Sequence, residues 1–314
     1  MNYLKDYREG EKFVGTYLCK QKQILKTKAG KTYYSLTLQD KTGTADGKIW
    51  ELNNGIANFE PMDYIHCEGM VTSFQGNLQM NISRVRISDE GEYDPADYVP
   101  CTNKDVGEMF SRILKYVASV QNKYLRKILE MYFVENKEFV DAFKNHSAAK
   151  SVHHGFMGGL LEHTLSVTDM CQYFAEHYPM IHRDLLITAA LFHDMGKIQE
   201  ISDFPMNDYT DDGQLLGHIY IGARCMENAA AQIPNFPPKL KNELVHCILA
   251  HHGKMEFGSP KVPAIMEAMA LHMADNADAK LQTLTEVFTQ AGDNMGWLGF
   301  NRMFESNLRK TSEE

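Results

Sequence analysis

The sequence predicts a multidomain chain in which a small all-β barrel is followed by an all-α helical bundle. Residues 13–88 carry short strands of period 2 broken by turn signals. From Asp105 to about Leu308 the apolar residues recur instead at helical spacing. Between the two, residues 88–104 (SDEGEYDPADYVPCTNK) hold two prolines, many acids and little periodicity, the composition of a linker. A length of 314 residues also suits two cores better than one. The expected boundaries are a barrel over 1–88, a linker over 89–104 and a helical domain over 105–314.

In the barrel, Tyr34, Leu36 and Leu38 alternate with Ser35, Thr37 and Gln39, the pattern of a half-buried strand. The turn Asp40-Lys41-Thr42-Gly43 leads to a strand near Ala45–Trp50. A short helix is expected over Asn53–Glu60, then the strands Tyr64–Ser73 and Leu78–Ile87 joined by Gln75-Gly76-Asn77. Five strands with one helix between the third and fourth fit a Greek-key barrel of the OB type. In the second domain Ile113, Val117 and Val120 mark one helical stripe, and Leu160, Leu161, Leu165 and Thr168 another. Further helices are expected over Leu185–Phe192, Leu240–Ala250 and Ala264–Ala279, with Gly196 and Gly253 as C-caps.

Composition narrows the function. Apolar residues make up 44% and charged residues 23%, which excludes a disordered chain. The N-terminus, MNYLKDYREGEKF, lacks an apolar segment, and no run of 18 apolar residues exists, so neither signal peptide nor membrane span is expected. Six scattered cysteines without a CxxC pair suit a reducing cytoplasm. A net charge of −9 argues against a general nucleic-acid binder. Yet Lys20, Lys22, Lys26, Lys28 and Lys31 fall within twelve residues that hold no acid, a strip able to track phosphates. Tyr33, Trp50 and Phe74 are candidate stacking platforms beside it. The plainer readings are a solvated hairpin for the lysines and core packing for each ring.

Twelve of the 13 histidines lie between His146 and His272. Within that window runs the order His163, His193-Asp194, His218, His251-His252, Asp275. His193-Asp194 closes the apolar helix LLITAALFHDMGK, His251 follows Leu244 and Cys247 on a core stripe, and Asp275 lies in the apolar stretch AIMEAMALHMADNADA. A buried unpaired carboxylate is costly, and a cation would explain all these placements together. Imidazole and carboxylate without cysteine suit Mn²⁺, Fe or another borderline cation. Any one of these histidines alone is more often a hydrogen-bonded core residue; the set is what points to a metal. Lys197 is the candidate for holding a substrate phosphate, and His153-His154 are read as a loop pair that contacts either substrate or solvent. Asp169, Asp184, Asp203, Asp208 and Asp278 are read as surface acids. No Walker loop or strand-linked GxGxxG is present.

The order His…HD…His…HH…Asp, with Gly196-Lys197 just after the HD pair, resembles the HD-domain metal-dependent phosphohydrolase superfamily, an all-helical fold. Carried over by position, that resemblance implies His163, His193, Asp194 and Asp275 as ligands of a first metal. It implies Asp194 as a bridge to a second metal held by His218 and His251, with His252 either a ligand or a phosphate contact. The stretch GKTYYSLTLQDKTGTADGKIW resembles a nucleic-acid-binding OB domain. The order of OB domain, acidic linker and HD domain, with GGLLEHTLSV before HDMGK, resembles the YhaM-type 3′–5′ exoribonuclease family over roughly residues 13–300. What this implies is a cytoplasmic, membrane-free, oligomeric enzyme that removes nucleotides from the 3′ end of single-stranded RNA, with single-stranded DNA as a second substrate. It further implies two divalent cations per chain, Mn²⁺ foremost, with Fe, Co or Mg as substitutes. Catalysis would fall to Asp194, Lys197 and His252. The alternatives are a phosphodiesterase for a small nucleotide or cyclic dinucleotide, and a non-catalytic RNA-binding adaptor.

Overall fold

Alternation in β2 (Thr32–Asp40) turns Leu36 and Leu38 into a core shared with Phe13, Tyr17, Ile49, Ile65 and Met80. A computed structural model describes residues 2–74, 76–150 and 154–312. The chain divides into two units, Met1–Cys101 with Phe204–Met206, and Thr102–Asp203 with Asn207–Glu314. In the first, β1 (Lys12–Lys26), β2, β3 (Gly43–Ile49), β4 (Tyr64–Phe74) and β5 (Asn77–Ile87) close a barrel in the order β1-β2-β3-β5-β4. The β3–β5 pairing is parallel and the others antiparallel, the strand order of an OB barrel. The long β1 serves two neighbours, with Leu18 opposite both Gln39 and Tyr64, and a bulge between Cys19 and Gln21 bends it from one to the other. At Gly69 a Cβ would meet the Asn81 carbonyl oxygen at 2.0 Å, so this β-bulge requires glycine.

Two expectations for this unit are corrected. Asn53–Glu60 forms no helix: the Asn53 side chain accepts the Gly55 N–H at 2.8 Å, and Ile56 bridges to Val85 as a strand would. Asn-Asn-Gly turn chemistry outcompetes a helix too short to sustain itself. The expected linker is mostly ordered structure of the first unit as far as Cys101. Tyr93 stacks on Tyr64 with ring centroids 4.0 Å apart, Tyr98 is buried, and Asp97 accepts hydrogen bonds from Lys41 at 2.6 Å and Tyr3 at 2.9 Å. Its aromatic residues outweigh its acidic composition.

The second unit is helical: α1 (Val106–Ser119), α2 (Lys123–Glu130), α3 (Lys137–Asn145), α4 (Gly159–His177), α5 (Arg183–Phe192), α6 (Lys197–Glu200), α7 (Asp211–Ala231), α8 (Pro238–Ala250) and α9 (Met266–Gln290). Every residue of α5 from Leu185 to Phe192 is buried, so this helix is the centre of the core. The helical reading fails beyond Gln290. Gly292 and Gly299 adopt positive φ, and the chain ends in a two-stranded pairing of Phe300–Asn301 with Ser306–Asn307. Gly253 (φ +78°) caps α8 as expected, its N–H donating to the Ala250 carbonyl at 2.8 Å. Gly196 is not a C-cap; it has right-handed φ at the start of α6. Among the described residues no helix is long and apolar enough to cross a membrane.

Candidate metal centre

Four helix ends and two helix faces bring the histidines and carboxylates together. The buried first half of α4 presents His163, and the C-terminus of α5 delivers His193 and Asp194 into the interior. The α7 helix breaks at Gly217 (φ 73°, ψ 152°), which frees the backbone N–H of His218. Glu200, at the end of α6, accepts that N–H at 3.0 Å and the His218 Nδ1–H at 2.9 Å through one oxygen. His251 follows the last residue of α8, and Asp275 and Asp278 share a face of α9 at a spacing of three. Gly196 fixes how close these parts come: a Cβ there would meet the His218 carbonyl oxygen at 2.1 Å and the Gly222 nitrogen at 2.9 Å.

Asp194 is buried at the centre. Its Oδ2 lies 3.3 Å from His163 Nε2 and 3.4 Å from His193 Nε2, while Asp275 Oδ1 lies 3.2 Å from the same His163 nitrogen. Its Oδ1 lies 3.6 Å from both His218 Nε2 and His251 Nε2. One carboxylate thus faces two ligand sets, His163 with His193 and Asp275 on one side, His218 with His251 and His252 on the other.

These residues fit a cation, and the hydrogen bonds show why. His193 and His251 donate Nδ1–H to the carbonyls of Ala190 (2.8 Å) and Ile248 (2.7 Å), and His218 donates its Nδ1–H to Glu200. The Nδ1 partners are all acceptors, so each neutral ring turns a lone pair inward at Nε2. His218 Nε2, His251 Nε2 and both Asp194 oxygens are buried without a hydrogen bond. Lys197 Nζ does lie 2.6 Å from Asp194 Oδ2, an ion pair outside hydrogen-bond geometry. Buried acceptors facing one another are unfavourable unless positive charge lies between them.

The titration of the site points the same way. Burial would raise the Asp194 carboxyl, but Lys197 and then His193 and His163 hold it well below the usual carboxylate range. Burial also opposes the charge on His163, yet Asp194, Asp275 and Asp278 raise its pKa well above the ordinary value. Burial and then His251 push His252 down to about 4. The three carboxylates that favour positive charge at His163 mark where a cation is needed.

Three residues escape the sequence reading. Asp278 is no surface acid: it is buried, accepts from His163 Nδ1 at 2.7 Å and His154 Nε2 at 2.9 Å, and is hydrogen-bonded by Ser166. Its spacing from Asp275 on an apolar helix was a usable signal. His154 is buried on Asp278, neither solvated nor on the surface; His153 lies outside the described residues. Glu200 carried no signal, because its role depends on the break at Gly217. His252 donates Nδ1–H to the Phe257 carbonyl at 2.7 Å, and it borders with Lys197 a cavity of about 430 Å³ that reaches the ligand sets.

On the barrel, Tyr33 and Trp50 stack with centroids 4.6 Å apart, and Trp50 donates to Asn81 Oδ1 at 3.0 Å. Phe74 is exposed near the tip of the β4–β5 hairpin and joins no ring contact with that pair. Lys20, Lys26 and Lys28 are exposed, and Lys31 pairs with Glu51 at 3.2 Å. Lys22 departs from the strip. Its side chain is 8% exposed, donates to the Phe59 carbonyl at 2.5 Å and lies 4.5 Å from the Phe59 ring, so it is spent on the barrel itself.

Residues 160–280 match the HD domain family. Because that family implies a divalent metal, it agrees with the fit of these side chains to a cation. A solved structure, the second OB-fold domain of replication protein A from Methanococcus maripaludis, aligns at 20% identity and TM-score 0.24 over 29% of this chain and 98% of that one. The barrel rests on its own strand pairing, not on that likeness. The 3′–5′ exoribonuclease YhaM of Geobacillus sp. (strain WCH70) is 32% identical over 81% of this chain and 78% of the relative. The YhaM of Bacillus subtilis (strain 168) is 32% identical over 81% of each chain, and that of Listeria innocua over 90% of each at the same identity. With a third of its residues shared along most of its length, this chain belongs to the YhaM 3′–5′ exoribonuclease family.

Proposed function

We propose that the chain is a metal-dependent 3′–5′ exoribonuclease that binds two divalent cations, with Mn²⁺ as the working ion. The observation that carries this reading is Asp194, whose two oxygens each face a separate set of inward-turned imidazole nitrogens. When bound, two such cations supply charge neutralisation on the phosphodiester and acidify a water. The chain's own residues do the rest. Asp194 spans the two ligand sets, and Asp278 and Glu200 hold His163 and His218 in the tautomer that turns Nε2 inward. Lys197, lining the cavity, carries a positive charge against which a substrate phosphate can settle. His252 stays neutral near pH 7, able to ligate or to contact phosphate without first losing a proton.

The barrel takes the single strand. The Tyr33–Trp50 pair supplies a flat face for bases, and Lys20, Lys26 and Lys28 track the backbone. Neither device reads a 2′-hydroxyl, which supports single-stranded DNA as a second substrate. A cytoplasmic homo-oligomer completes the proposal. The test is purified protein with 5′-labelled single-stranded RNA and Mn²⁺. A descending ladder is expected; internal fragments or an intact substrate overturn the reading, and hydrolysis of a cyclic dinucleotide alone would replace it with the small-nucleotide alternative.

A further inference from the structure

Two exposed aromatic rings border the cavity that reaches the ligand sets, and nothing in the metal chemistry uses them. Tyr209 is 46% exposed and Phe257 54% exposed. The backbone of each is tied down. Tyr209 bridges to Ile201 as an isolated antiparallel pair, and its N–H donates to Asp208 Oδ1 at 2.7 Å. Phe257 ends a tight turn, Met255–Phe257, closed by Gly258 at φ +91°, and its carbonyl accepts the His252 Nδ1–H. Each ring has a lysine beside it: Lys150 Nζ is 5.8 Å from the Tyr209 centroid, and Lys254 Nζ is 5.2 Å from that of Phe257. The cavity, about 430 Å³, is larger than one phosphate group needs and leaves room for a sugar and a base.

We propose that Tyr209 and Phe257 form a nucleobase subsite, against which the terminal base stacks while its phosphate lies over the ligand sets. The proposal rests on the exonuclease reading and adds what grips the leaving nucleotide. A Tyr or Phe side chain has only two χ angles to fix, so little freedom is lost on binding and the stacking energy is realised as affinity. Every base offers a π-face, so such a subsite tolerates any sequence, as stepwise removal of successive nucleotides demands. The flanking lysines are each paired with an acid, Lys150 with Asp208 at 2.6 Å and Lys254 with Glu256 at 3.3 Å, so the rings and not the lysines carry the subsite.

The test compares adenosine 5′-monophosphate with ribose 5-phosphate in equilibrium binding to the metal-loaded protein, and RNA with an ordinary against an abasic 3′-terminal residue in turnover. Wild type should bind the nucleotide roughly tenfold or more tightly than the sugar phosphate, a typical stacking gain. It should also show a KM for the abasic end higher by a similar factor, with kcat nearly unchanged. Tyr209→Ala and Phe257→Ala together should abolish both differences, and Tyr209→Phe should restore its share; unchanged metal content and circular dichroism establish that the variants are folded. Equal binding of the two probes by wild type, or a full preference kept by the double variant, overturns the subsite. If the binding preference is present but no RNA is degraded, the exonuclease reading falls and the subsite stands.

Discussion

Asp278 Oδ2 accepts the Nδ1–H of His163 at 2.7 Å, and by doing so aims the other nitrogen of that ring at Asp194 and Asp275. A carboxylate in this position fixes both tautomer and ring orientation. Asp278→Ala should therefore weaken metal binding by roughly 10–100-fold, a typical cost of losing such a partner. Calorimetric titration of the metal-free protein with Mn²⁺ measures it. Unchanged affinity would show that packing alone orients His163.

Asp194→Asn keeps the shape of the central side chain and removes the charge that both ligand sets share. Turnover should fall on the order of 10³-fold or more, since metal contributions reach several kcal/mol and each 1.36 kcal/mol is tenfold. Elemental analysis should show clearly less metal per chain than in wild type. RNA affinity should stay within about threefold, because neither the strand contacts proposed for the barrel nor the Tyr209–Phe257 subsite involves Asp194. Near-normal turnover and metal content in this variant would sink the phosphohydrolase reading.

The lysines of residues 20–28 should separate into two classes. Replacing Lys20, Lys26 and Lys28 with Ala should weaken RNA binding and flatten the dependence of log K on log salt by about 2, from three contacts at about 0.7 each. Lys22→Ala should leave that slope alone and lower barrel stability by about 1–2 kcal/mol, through the lost cation–π contact and carbonyl hydrogen bond. Salt titrations and thermal melts distinguish the classes; a Lys22→Ala variant with a flattened slope and normal melting would reverse the assignment.

Thiol reactivity should single out Cys101. It is exposed, whereas Cys19, Cys67, Cys171 and Cys247 are buried. Burial pushes the Cys19 thiol up to about 12, and raises the other three as well. At pH 8 a thiol of pKa 12 is thiolate in only about one molecule in ten thousand. Brief iodoacetamide treatment and mass spectrometry of the native chain should find Cys101 labelled first, with these four labelled only after unfolding. Early labelling of Cys171 or Cys247 would mean that the helical core opens readily.

Much of this architecture is legible in the sequence because its signals are local. The alternation around Leu36 follows from a strand burying one face, and the apolar run of α5 from a helix buried all round. What the sequence hides is set by single residues elsewhere. Lys20 and Lys22 share a parity that suggests one face, but the bulge after Cys19 shifts the alternation between them and turns Lys22 inward. Asn53–Glu60 reads as a helix only if the Asn53 side chain is ignored. The ligand order His163 to Asp275 is visible because the residue types are rare in apolar segments, and the same reasoning extends to Asp278. Glu200 becomes significant only once α7 is seen to break at Gly217.

Gly196 acts as a gauge block. With no room for even one carbon between it and the His218 carbonyl, the turn carrying Asp194 and the helix carrying His218 rest backbone on backbone. The gap between the two ligand sets is thereby a main-chain dimension, insensitive to rotamer changes or to drift at the surface. A methyl group inserted there would not disturb His163 or Asp275, which reach Asp194 from α4 and α9, nor His193, which precedes Asp194 on the same turn. It would wedge one half of the centre away from the other, leaving two good halves that no longer share a carboxylate.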